Sequence, residues 1–156
     1  MGRRSILALL VCFTLPGCAK HIAAPVNSPL LAPPPHSVKL VSASRNGRGP
    51  GGIGGFETSA NAFVVYASTD PSETVVVWYK TLVAADYNFD IQDHGNTTEI
   101  TAFPKDGTTR HANVTITSEL PTDIIRAYTS ASTKPTTLAP PPTGTKSYIA
   151  VVIGDG

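Results

Sequence analysis

Between Ala19 and Gly55 the chain holds six prolines, six glycines crowded between Gly47 and Gly55, and no aromatic residue. A stretch with so little bulky apolar surface builds no core, so residues 18–55 read as a disordered tether, with Pro33 to Pro35 stiff and extended and Asn46 to Gly55 loose. As a coil it spans about 35 Å, and fully extended it reaches on the order of 100 Å. Folding is then confined to residues 56–156. The chain of 156 residues is 41% apolar and 7% aromatic, enough for one modest core and too little for two domains. A formal net charge of +1 gives nucleic acid no electrostatic footing. Charge divides at the same boundary: residues 18–56 carry Lys20, Lys39, Arg45 and Arg48 and no acid, while 57–156 carry six bases and eleven acids.

Arg3 and Arg4 precede ten apolar residues, Ile6 to Leu15, which is the anatomy of an export signal. As a helix these ten reach about 15 Å, half of a hydrocarbon core, so the segment does not serve as a permanent span. Leu15, Pro16, Gly17 and Cys18 follow, and this run resembles the lipobox of bacterial lipoproteins, although Pro16 departs from the small or β-branched residue usual there. The resemblance covers the first 19 or 20 residues. It implies a signal peptide over 1–17, cleavage before Cys18, and a thioether-linked diacylglycerol on that cysteine, often with a third acyl chain, of the kind that palmitate labels. Ala19 in place of Asp implies, in a cell with two membranes, transfer to the outer membrane facing the periplasm. An ordinary secretory signal cut after Ala19 stays open as the alternative, and it leaves the product soluble. Cysteine arithmetic favours the lipid: Cys12 lies inside the apolar run, Cys18 is the only other cysteine, and modification consumes a thiol that has no intramolecular partner. Two or three acyl chains, at about 0.8 kcal/mol per buried methylene, make such an anchor effectively permanent.

Within 56–156 the hydrophobic period changes from two to 3.6 and back. Ala62 to Ser68 alternates, with Phe63, Val65 and Ala67 on one face and Val64 and Tyr66 on the other, which predicts a central strand. Asp70, Pro71 and Glu73 then form a helix start resembling a capping box, and Val75, Val76, Tyr79, Leu82 and Val83 recur at helical spacing, predicting a helix from about Pro71 to Ala85. Strands are predicted at Asn88 to Asp93, Thr98 to Phe103 and Arg110 to Thr117. The last two are joined through Asp106 and Gly107, with Ala112, Val114 and Ile116 facing Ile100 and Ala102. A further strand is read at Ile124 to Tyr128, an exposed loop over 129–145, and a last strand at Tyr148 to Ile153. Val38 to Val41 offers an isolated edge strand. The predicted fold is α+β: an antiparallel sheet of four to six strands with one helix on one face and the other face bare. Asp70 to Thr117 also resembles a short βαβββ unit of small bacterial lipoproteins, a resemblance that carries no catalytic positions.

Few residues point to chemistry. Asp90, Asp93 and His94 sit near one strand end, and His111 lies on a later strand. A metal would need three or four of these to converge, yet Asp90 and Asp93 have opposite strand parity, and Asp93 and His94 before Gly95 have the composition of a turn. The GxGxxG matches at Gly47, Gly49 and Gly52 and at Gly49, Gly51 and Gly54 lack the flanking strand and helix that would cradle a phosphate. The expectation is therefore a noncatalytic, lipid-anchored binding or assembly module of the cell envelope, without cofactor or metal. Its expected contacts are the membrane, through Cys18, and an envelope protein or glycan. The alternative is a small envelope or secreted enzyme or metal-binding protein using His94 and His111.

Overall fold

The computed structural model describes residues 21–48, 58–130 and 136–155. The predicted signal peptide, the lipidation site at Cys18 and most of the glycine-rich run lie outside the described residues. The described chain forms β1 (His21–Ile22), a 3-10 turn (Pro29–Leu31), β2 (Ser37–Arg45), β3 (Gly47–Arg48) and β4 (Asn61–Ser68). It continues with α1 (Ser72–Val83), β5 (Tyr87–Asp93), β6 (Thr97–Pro104), β7 (Arg110–Thr117), α2 (Thr122–Ser130) and β8 (Ser147–Asp155). Six strands make one antiparallel sheet in the order β2-β4-β8-β7-β6-β5, and β1 pairs with β3 in a separate small ladder. The α+β class expected from the period changes is therefore the class found.

Strand β4 occupies the interior as its double alternation requires. Val64 and Tyr66 join Ile149, Val151, Ile100 and Val114 in a core on one face, while Phe63, Val65 and Ala67 join Leu40, Val41 and Ala150 in a core on the other. The first core is closed by Val75 and Tyr79 of α1 and by Leu30 of the 3-10 turn, all within 2% of full burial. The β6–β7 hairpin turns at Gly107, whose φ of +78° only glycine adopts without strain, and it registers Ile100 on Val114 and Ala102 on Ala112 as the alternation predicts. Helix α1 is closed from outside, since Lys105 Nζ donates to Ala84 O at 2.8 Å and Ala85 O at 3.2 Å, placing a cation on the negative end of the helix dipole.

Three expectations are corrected. The first is the single helix: Ile124 to Tyr128 is not a strand but the middle of α2. Ile124, Ile125 and Tyr128 lie on one helical face, where Ile125 is buried and the Tyr128 ring stacks on Phe63 with centroids 5.1 Å apart. This second helix covers the β2-β4-β8 half of the face read as bare, so among the described residues the β5-β6-β7 half of that face is the part left open. The second correction is the tether: residues 29–48 belong to the domain. Leu30, Leu40 and Val41 are each 2% exposed or less, because a bulge between Lys39 and Val41 turns both Leu40 and Val41 into the α2-side core. The third concerns the helix start and the long loop. Pro71, not Asp70, takes the N-cap position of α1 and makes no side-chain cap, while Glu73 lies in the first turn, where an acid complements the dipole. Residues 129–130 belong to α2, and 136–139 run along β2, with Thr136 N donating to Ser42 O at 3.0 Å and Ala139 N to Leu40 O at 2.9 Å.

Candidate functional site

The structure separates the histidines that the alternative reading needs together. Asp93 pairs with Thr98, and Thr98 with Ile116, whereas His111 pairs with Gly154. The two levels are therefore five positions apart along β7, about 17 Å at the strand rise. Asp93 Oδ1 accepts from Gly95 N at 3.0 Å and His94 N donates to Thr97 O at 2.8 Å, which is turn chemistry, with Gly95 at a φ of +83°. Asp90 Oδ2 accepts from Gln92 Nε2 two residues along its own strand. Among the described residues no three His, Cys, Asp or Glu side chains gather as a metal would require.

One pair that the sequence did not suggest does meet. His36 Nδ1 lies 3.1 Å from Asp70 Oδ2 and 3.2 Å from Oδ1, with His36 held at a φ of +51°. Two buried serines stand close by, but Ser68 Oγ donates to His36 O and Ser147 Oγ to Asp70 O, so both hydroxyls are spent on backbone carbonyls. A nucleophile needs a hydroxyl directed at the imidazole, and these are not. The pair instead clamps the start of β2 to the β4–α1 turn, together with Thr69 N donating to His36 O at 3.2 Å.

Clefts open at both ends of the sheet. One of about 350 Å³ lies between residues 23–30 and the β6–β7 hairpin, bordered by Tyr87, Asp106, Thr108, Arg110 and His111. There Thr108, through its backbone N–H and its hydroxyl, holds the Asp106 carboxyl below the usual carboxylate range. Another of about 400 Å³ lies at the far end, bordered by Thr97, Glu99, Thr117, Glu119 and Asp123. Beneath α1, burial pushes the Tyr66 and Tyr79 phenols up, Tyr79 further because it is the more deeply buried and, second, because Tyr66 lies beside it.

The two edges of the sheet differ. Along β2 the chain itself covers the strand, since Thr136 bonds Ser42 through both its backbone and its hydroxyl and Ala139 bonds Leu40. At the opposite edge β5 has, among the described residues, one strand neighbour, β6. Tyr87, Phe89 and Ile91 of β5 turn toward the α1-side core, and Asn88, Asp90 and Gln92 are exposed on the open half-face with Glu99, Phe103 and Asn113. Thr101 Oγ1 donates to Asn113 Oδ1 at 3.1 Å across that half-face. The open edge was hidden from the sequence because an edge is a property of strand order, which alternation does not encode. Among the described residues no helix is long and apolar enough to cross a membrane. Comparison with models of protein families, with curated proteins and with solved structures finds no match to this chain.

Proposed function

We propose that this chain is a cell-envelope lipoprotein, anchored by acyl chains on Cys18, that acts as a noncatalytic binding or assembly module whose partner docks on the open edge and half-face at β5. The anchor rests on Arg3, Arg4, the apolar run Ile6 to Leu15 and the cysteine that follows. In a cell with two membranes, Ala19 after that cysteine directs the protein to the outer membrane, facing the periplasm. The binding role rests on one observation, the contrast between an edge covered by residues 136–139 and an edge with a single neighbour. An extended segment of another envelope protein fits that edge through backbone hydrogen bonds, and the polar half-face beside it supplies side-chain selectivity. The noncatalytic reading is supported by buried serine hydroxyls committed to carbonyls and by His94 and His111 standing at different levels of the sheet.

Mass spectrometry of the mature N-terminus tests the anchor. Acyl chains on Cys18, lost together with membrane fractionation in Cys18→Ala, are expected, and a free N-terminus at Lys20 would refute the reading. A photo-crosslinking residue in place of exposed Gln92 tests the edge. An envelope protein captured there and not at Lys39, close to the covered edge, is expected. Equal capture at both positions, or none, would remove the binding role.

A further inference from the structure

Strand register sorts charge by end. Where β2 stops and β4 starts, the described residues bring together Arg45, Arg48, Lys105 and Arg110, with Lys80 in the last turn of α1, against Asp86, Asp106 and Asp155. At the other end stand Asp70, Glu73, Asp93, Glu99, Glu119 and Asp123, against Lys39 and Lys146. Among the described residues the charges thus form a dipole, basic at one end and acidic at the other.

The chain enters the fold at the basic end. His21 pairs with Arg48 in the β1–β3 ladder, Ala24 N donates to Asn46 Oδ1 at 3.0 Å, and Arg110 Nη2 donates to Ala23 O at 3.2 Å. Gly47 of that ladder packs closely on the approach to β4, since a Cβ there would stand 2.4 Å from Thr58 O and 2.6 Å from Ala60 N. Between Cys18 and His21 lie three peptide units, which reach at most about 11 Å at 3.8 Å each. A domain of this size is about 35 Å across, so a leash that short keeps the basic end beside the lipid and leaves the charges to decide whether the acidic end lies down or stands away.

From this geometry we infer that the basic end lies on the anionic head groups of the bilayer that holds the Cys18 acyl chains, with the acidic end facing away. The inference rests on the lipid anchor proposed above. The acyl chains fix which end is near, and the cations fix how closely it settles. Each cation brought to an anionic surface favours the seated orientation about five-fold.

The test uses the mature, acylated protein extracted from membranes and returned to vesicles of phosphatidylcholine, with or without an equal share of phosphatidylglycerol. Thr108→Cys marks the basic end and Asp123→Cys the acidic end. With Cys18 acylated, each carries the only free thiol and takes one fluorophore, which is quenched by spin-labelled head groups. In the anionic vesicles the label at 108 is expected to be quenched at least about two-fold more than that at 123. The excess should shrink in roughly 0.5 M salt, where the screening length falls to a few ångströms, and in Arg48→Glu with Lys80→Glu. Equal quenching at the two positions, or a ratio that phosphatidylglycerol and salt leave unmoved, overturns the seated orientation. Intact mass is read first. Cys18 without acyl chains overturns the anchor and the orientation together, whereas an acylated protein with no bias overturns the orientation alone.

Discussion

Among the described residues Tyr79 is the largest fully buried side chain of the core, and its hydroxyl has no hydrogen-bond partner there. A buried, unpartnered hydroxyl loses its water and gains nothing in return, so Tyr79→Phe is expected to leave stability unchanged or raise it by about 1 kcal/mol, measured by urea unfolding. Tyr66 is the contrast. Its hydroxyl donates to Leu31 O at 2.6 Å, and Tyr66→Phe should cost about 1 kcal/mol. Both phenols are pushed above their ordinary value of 10.0 by burial. Below that pH the folded and unfolded phenols are equally protonated, and their contribution is present in full. As pH rises past it the unfolded phenols ionise first, so stability falls on the alkaline side. Phenolate absorbance of the native protein should therefore lag that of the unfolded chain, and the alkaline loss should be smaller in Tyr79→Phe. At this scale the sequence was legible where contacts are local: Asp106 and Gly107 made the turn they announce, and Asp93 accepts from Gly95. It was not legible for His36 and Asp70, 34 residues apart, because no local pattern records which distant carboxylate an imidazole meets.

Among the elements, alternation was a reliable guide wherever a strand had no bulge. The faces of β4 and the register of β6 on β7 follow directly from it. It failed at β2, where the bulge puts Leu40 and Val41 on the same side and leaves Val38 50% exposed, so the strand looked shorter and more isolated than it is. It failed also at α2, where adjacent β-branched Ile124 and Ile125 suggest a strand by composition. The deciding feature is their spacing from Tyr128, which stacks on Phe63. A proline separates the two readings sharply. Arg126→Pro, at an exposed position inside α2, is expected to cost about 3 kcal/mol in denaturant unfolding. In the core beneath α1, Ile149→Ala should cost about 3 to 4 kcal/mol, and Ile125→Ala, at the rim under α2, about 2.

For the whole molecule, the largest revision is where the domain begins. Proline content marked residues 18–55 as spacer, yet prolines also suit the approach to an edge strand, and Leu30 anchors that approach beneath α1. A chain spanning 56–156 lacks β2 and Leu30 and leaves Phe63 and Val65 without their neighbours Leu40 and Val41. It is expected to give poorly dispersed amide resonances and no cooperative unfolding, whereas 21–156 should give both dispersion and a single transition.

The unequal margins of the sheet set a limit on self-association. Residues 136–139 already occupy the hydrogen-bonding groups of Leu40 and Ser42, so further strand addition is left to β5. Among the described residues, two copies meeting there make a twofold pair that consumes both available margins of the six-stranded sheet, and a third copy finds none on it. Crowding this protein on a surface should therefore saturate at dimers, and fibril growth through this sheet has no second site from which to continue.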